Sequence, residues 1–197
     1  MATGTENIPA DAKLLYSGAE IRRELTDIWR SVLADLSDMI GVPDIVLIPI
    51  LNGALAMTND SRRILTGLAS GIVVHECPIR IFRTEGETLV PPTTEGLDGN
   101  AASLITGRHV VILDDLTDGG ETLRLAEACV AEHSPASVTS IVILEKRTEA
   151  ATATVADYAC FELAYEEEEA DHNWVFGYGM DLREEYRGLD AIYVIQV

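Results

Sequence analysis

Residues 109–124 read His-Val-Val-Ile-Leu-Asp-Asp-Leu-Thr-Asp-Gly-Gly-Glu-Thr-Leu-Arg, and the reading of the fold starts from them. The apolar half has no polar alternation, the mark of a strand buried on both faces in a parallel sheet. It delivers Asp114 and Asp115 to its C-terminal end, the edge at which ligands bind in open α/β sheets. Asp118-Gly119-Gly120 is turn chemistry, and Glu121 and Thr122 open a helix whose first N–H groups point back to the same place. Backbone amides there can hold phosphate oxygens, and Thr122 adds a hydroxyl. Two carboxylates would repel that phosphate unless they bind something else, such as ribose hydroxyls or Mg²⁺. An Asp-Gly-Gly run can also simply turn a chain and cap a helix. The paired acids at the strand end, with Thr at the helix start, favour the ligand site.

Working outward, the same alternation of strand and helix recurs. Ser17 or Gly18 caps a helix in which Ile21, Leu25, Ile28, Trp29, Val32, Leu33 and Leu36 recur at helical spacing. The segment before it, to about residue 15, reads as loosely ordered. Pro43 ends the connection, and Asp44–Leu51 is a second almost wholly apolar strand. Asn52-Gly53 turns the chain into a helix over Ala54–Thr66, with Leu55, Met57 and Ile64 inward. Gly71–Phe82 reads as one strand. Residues 83–105 show neither helical nor strand period, so they read as a long loop or a loose hairpin extension, the usual form of a functional lid. Strands follow at Arg108–Leu113, Val138–Leu144, Tyr158–Leu163, Trp174–Gly177 and Ile192–Ile195, with a helix from the glycine turn to about Glu132. The acidic run Glu166–Glu169 reads as a solvated turn. The sum is one doubly wound α/β domain.

Composition narrows the function. The 197 residues are 47% hydrophobic and 24% charged, a globular balance. The formal net charge of −19 opposes nucleic acid and anionic lipid as partners. No apolar run reaches membrane-spanning length, and no signal peptide is visible at the N-terminus. Cys77, Cys129 and Cys160 form neither a CxxC pair nor an even framework, which fits a reducing cytoplasm. Phosphorylated substrates in so acidic a chain require local positive potential from a few cations, Mg²⁺ and backbone amides. The only lysines are Lys13 and Lys146.

The 109–124 segment resembles the phosphoribosyl-pyrophosphate-binding motif of type I phosphoribosyltransferases. Three further islands, in order, resemble the hypoxanthine-guanine branch of that family. Leu51-Asn52-Gly53 stands where the family has Leu-Lys-Gly before a helix. Lys146-Arg147-Thr148 follows a core strand, and Trp174-Val175-Phe176-Gly177-Tyr178 precedes Asp181 and Arg187. The resemblance implies the type I phosphoribosyltransferase fold: a mainly parallel, doubly wound sheet with a flexible lid loop over about 83–105. A small hood, from about 158 to 197, takes in the N-terminal segment.

It also implies roles. Asp118 would be the general acid/base at N7 of the purine, and residues 118–122 (Asp118, Gly119, Gly120, Glu121, Thr122) would bind the 5′-phosphate. Asp114 and Asp115 would hold the ribose hydroxyls and, through water, Mg²⁺; Asp181 would be a second metal carboxylate. Lys146 would donate to the exocyclic O6, favouring 6-oxo over 6-amino purines because an ammonium only donates. Trp174 would stack on the base and Val175 would present backbone to its edge. Asn52, Gly53 and Arg187 would face the pyrophosphate. The implied partners are phosphoribosyl pyrophosphate, a purine base and a second copy of the chain, as a homodimer or homotetramer.

Three departures bear on the substrate. Asn52 removes the family's loop lysine, residues 83–105 lack its Ser-Tyr pair, and Glu121 puts an acid in the phosphate turn. They leave two alternatives beside salvage of hypoxanthine, guanine or xanthine. One is a phosphoribosyltransferase for a modified purine such as a 7-deazapurine. The other is a nucleotide-sensing regulator of the same fold with little turnover.

Overall fold

The computed structural model describes residues 8–37, 44–85, 88–97, 99–147, 156–164 and 173–196, apart from the side chains of 82–94 and 164. Five parallel strands form the central sheet: β2 (Asp44–Pro49), β3 (Val73–Glu76), β6 (His109–Asp118), β7 (Ser137–Arg147) and β8 (Tyr158–Ala164), in the order β3-β2-β6-β7-β8. Two-residue alternation sorts their side chains onto two buried faces. Ile45, Leu47, Val111, Leu113, Ile141 and Ile143 pack against α1 (Gly18–Ser37) and α2 (Leu55–Leu68). Val46, Ile48, Val110, Ile112 and Val142 face α3 (Gly99–Ile105) and α4 (Glu121–Ala131). Helices on both faces of a parallel sheet are the doubly wound arrangement expected.

The start of α1 is a reciprocal cap. The Ser17 amide and hydroxyl donate to Glu20 Oε2 at 2.9 and 2.6 Å, and the Glu20 amide donates to Ser17 Oγ at 3.4 Å. Its buried stripe is Ile21, Leu25, Trp29, Val32 and Leu36.

Several elements differ from the sequence reading. The segment before α1 contains a strand, β1 (Lys13–Tyr16), ordered by pairing with β10 (Ile192–Gln196) at the far end of the chain. β10 also pairs with β9 (Asn173–Phe176), giving a separate three-stranded antiparallel sheet, the hood, which does not take in residues from 158 as expected, because β8 pairs with β7 in the central sheet. The single strand read over 71–82 is broken at Cys77-Pro78-Ile79 into β3 and β4 (Arg80–Glu85), where proline has no amide for a ladder. Within 83–105, β4 continues into an antiparallel ribbon with β5 (Thr88–Glu95), and α3 follows. The side chains of Arg83, Thr84 and Thr88 lie outside those described, as do Pro43, Thr148 and the run Glu166–Glu169. Leu55 is 44% exposed rather than inward, while Met57 is fully buried. β6 and β7 each run past their apolar cores, because each supplies the other's hydrogen bonds out to Asp118↔Lys146. No described helix is long and apolar enough to cross a membrane.

Candidate active site

The in-register extension of β6 and β7 builds one wall of the site. Asp118, exposed at the end of β6, is paired in register with Lys146 on β7. Beyond it Gly119 and Gly120 both have φ of 71°, left-handed geometry that glycine adopts without the Cβ penalty. This pair throws the chain from strand straight into α4. Gly120 is the N-cap and brings no side-chain acceptor to the opening amides of the helix. Glu121 is exposed and Thr122 half-buried in that first turn.

Behind the turn, Asp114 is 5% exposed and its Oδ1 accepts the Asp115 amide at 3.0 Å. Asp115 Oδ1 accepts the Leu116 amide at 2.8 Å. Burial raises the Asp115 carboxyl above its ordinary range, against the pull of its hydrogen bonds and the Arg187 charge.

The loop after β2 approaches so closely that no side chain fits. A Cβ on Gly53 would lie 1.9 Å from an Asp115 carboxylate oxygen. A Cβ on Gly179, whose φ is +105°, would lie 1.9 Å from the Gly53 carbonyl oxygen. Asp115, Gly53 and Gly179 therefore stack backbone to carboxylate, joining core and hood at one point. The Leu51–Asn52 peptide is cis and Asn52 is exposed.

The hood supplies the facing wall. Trp174, 48% exposed, donates its indole N–H to the Asp181 carbonyl at 2.6 Å. Asp181 Oδ1 pairs with Arg187 Nη2 at 2.6 Å, and its Oδ2 accepts the Glu184 amide at 2.8 Å. Arg187 Nη1 donates to the Gly179 carbonyl at 2.7 Å. Between the walls lies a cavity of about 190 Å³ lined by Asp115, Leu116, Lys146, Trp174, Val175, Met180 and Asp181.

The residues singled out in the sequence thus fall into groups. Asp115, Lys146, Trp174, Val175 and Asp181 share one cavity. Gly53 touches Asp115, and Arg187 is held by Asp181 and Gly179 rather than standing open. Asp118 through Thr122 form the adjoining turn. Asp114 is buried and does not line the cavity. Asp114, Asp115 and Asp181 do not close into one metal cage; among the described residues no three such groups do.

Sequence reasoning missed the support behind the hood. Tyr178, 2% exposed, donates its hydroxyl to Asp60 Oδ2 on α2 at 2.8 Å. Burial, then the Asp60 charge, push the phenol far up, so it remains a donor. Asp60, itself 7% exposed, also pairs with Arg63 at 3.2 Å and lies 3.9 Å from Arg22 on α1. Arg22 in turn grips Asp190 of the hood at 2.6 Å. An acid on the buried side of α2 was the one available signal, and nothing local named its partner.

The phosphoribosyl transferase domain family model matches residues 18–182. The chain is 36% identical to the hypoxanthine-guanine phosphoribosyltransferase of Streptococcus pneumoniae over 92 residues, 47% of each chain. It is 31% identical to that of Canis lupus familiaris over 99 residues, 50% of this chain and 42% of the relative. The chain thus matches about half the length of these curated relatives. The crystal structure of the hypoxanthine phosphoribosyltransferase of Trypanosoma cruzi superposes with a TM-score of 0.75 at 26% identity, over 93% of this chain and 96% of that one.

Proposed function

The chain belongs to the phosphoribosyl transferase domain family, and from that premise we propose that it transfers the 5-phosphoribosyl group of phosphoribosyl pyrophosphate to a 6-oxopurine, releasing pyrophosphate. The observation that carries this reading is the register pair Asp118↔Lys146 at the end of two parallel strands. A purine with O6 against the Lys146 ammonium has N7 on the same edge, toward Asp118. Lys146 selects an oxo over an amino group because it has no acceptor. Asp118 holds the N7 proton as the bond to C1′ forms. Trp174 offers its exposed face to the base. The glycine turn and the opening amides of α4 take the 5′-phosphate.

Mg²⁺ is the cofactor of this reading. Mg²⁺ binds hard oxygen donors, commonly one or two carboxylates completed by substrate phosphates. Asp115 and Asp181 on one cavity fit that chemistry. Held by these carboxylates, Mg²⁺ would supply positive charge to offset that on the departing pyrophosphate. Arg187, held beside Asp181, supplies a planar fork for the same group. The ribbon and helix over 83–105 form the lid, within a single domain that works in the cytoplasm as a homodimer or homotetramer.

The test is incubation with phosphoribosyl pyrophosphate, Mg²⁺ and, separately, hypoxanthine, guanine, xanthine, adenine and a 7-deazapurine, with products separated by chromatography. Nucleotide from a 6-oxopurine but not from adenine is expected, with kcat lowered roughly a hundredfold or more in Asp118→Asn. Absence of product from every ordinary purine would overturn it. Product from the 7-deazapurine alone would point to modified-base chemistry, and tight binding without turnover to a sensor.

A further inference from the structure

Residues 114–124 set four acids, Asp114, Asp115, Asp118 and Glu121, against one arginine, Arg124. Three of the acids are accounted for. Asp114 is buried and accepts the Asp115 amide, Asp115 lines the cavity, and Asp118 stands in register with Lys146. Glu121 does none of these things. It is exposed, does not line the cavity, and is the first residue of α4, directly after the N-cap Gly120.

A helix start carries unpaired amides and a partial positive charge, and both draw an anion. Gly120 brings no side-chain acceptor there, and a Cβ on Gly119 would meet nothing within 4 Å, so the turn is open to a ligand. Two anions therefore face one helix end. The Glu121 carboxylate is always present, and the 5′-phosphate is present only in a complex. The carboxylate steadies the empty helix and repels the phosphate. Arg124, also exposed, lies three residues on, the spacing of neighbours on a helix surface. An exposed pair at that spacing reduces the field of the acid without abolishing it.

Resting on the transfer reading above, in which this turn takes the 5′-phosphate, we infer that Glu121 sets how tightly that phosphate is held, its charge weakening the grip on the nucleotide product so that the product is released. The product depends on this contact most. Once pyrophosphate has departed, the 5′-phosphate is the charged group left on the nucleotide, and product release limits turnover in many enzymes.

The probe is inosine 5′-monophosphate, the nucleotide of hypoxanthine, titrated by calorimetry into the wild type, Glu121→Gln and Glu121→Lys at low and at high salt. At low salt Glu121→Gln should bind it roughly two- to fivefold more tightly, the scale of one exposed charge at a helix end. Glu121→Lys should bind it more tightly still. At high salt the three proteins should converge, because exposed charges are screened. KM for hypoxanthine, which carries no phosphate, should not move. Unchanged or weaker nucleotide affinity in Glu121→Gln at low salt overturns the inference and leaves the transfer reading intact. A gain that persists at high salt, or that hypoxanthine shares, also overturns it, since packing rather than charge would then be responsible. If the wild type neither binds the nucleotide nor turns over any base, the transfer reading fails and this inference fails with it.

Discussion

The two walls of the cavity are built by different means. The β6–α4 wall is continuous in the chain: strand, acids, glycine pair and helix follow one another from His109 onward, and β2 and β7 hydrogen-bond the strand on both sides. The hood wall is assembled from distant pieces. β10 pairs with β9 on one side and, across the whole chain, with β1 on the other, while Tyr178 reaches Asp60 and Asp190 reaches Arg22. A ladder shares its load among many equivalent bonds, so single side-chain changes leave its geometry standing. A wall held by a few polar contacts and one close glycine approach should move when any of them is lost.

The largest effect is expected where the walls touch. Gly179→Ala puts a Cβ 1.9 Å from the Gly53 carbonyl oxygen at a φ of +105°. Overpacking and left-handed strain together should destabilise the chain by about 3 kcal/mol or more, read by urea unfolding. If Gly179→Ala folds at wild-type stability, the hood is not seated on the loop after β2, and the two walls do not differ in how they are held.

Next comes the peg behind the hood. Tyr178→Phe removes the 2.8 Å bond to Asp60 while leaving that acid its pair with Arg63. The expected loss is about 1–2 kcal/mol in the same unfolding experiment. In steady-state kinetics KM for the base should rise several-fold, with KM for phosphoribosyl pyrophosphate little changed, since the turn proposed to hold its phosphate belongs to the other wall. Equal changes in both constants would show the two walls acting as one body.

The smallest effect runs in the opposite direction. Burial raises the Asp115 carboxyl, so the folded chain holds that proton to higher pH than the unfolded chain does. Its contribution to stability is therefore present below the ordinary carboxylate range and lost as pH rises through the elevated folded value. Above that elevated folded value the ligand-free protein carries an enclosed charge that Asp115→Asn removes. The variant should gain roughly 1 kcal/mol, seen as a rise in Tm of about 2–4 °C. The gain should fade in acid, where the wild-type group is protonated. Binding of phosphoribosyl pyrophosphate with Mg²⁺ should weaken in the same variant, measured by calorimetry.

Legibility followed the same division. The buried strands at 44–49, 109–113 and 138–144 were readable because a parallel strand covered on both faces leaves an unbroken apolar run. The α1 start was readable from Ser17 and its helical stripe, and the capping bonds to Glu20 accompany it. The extensions of β6 to Asp118 and β7 to Arg147 were not, since acids and a lysine carry no strand signal and it is the neighbour's hydrogen bonds that order them. β1 escaped for the same reason, its partner lying at the other end of the chain. Leu55 was misread as inward because helical spacing names a stripe without saying where it ends.

By itself the sequence determined the doubly wound sheet and the glycine turn at Asp118–Thr122 that leads from strand to helix, because each rests on local periodicity or on contiguous residues. Only the tertiary structure decided that Asp118 stands beside Lys146, that Gly53 and Gly179 must lack side chains, that Arg187 rests on Asp181, and that the Trp174 indole engages the Asp181 carbonyl. Those are distances between elements, set by how strands align and sheets pack, and no residue's own neighbours in the chain encode them.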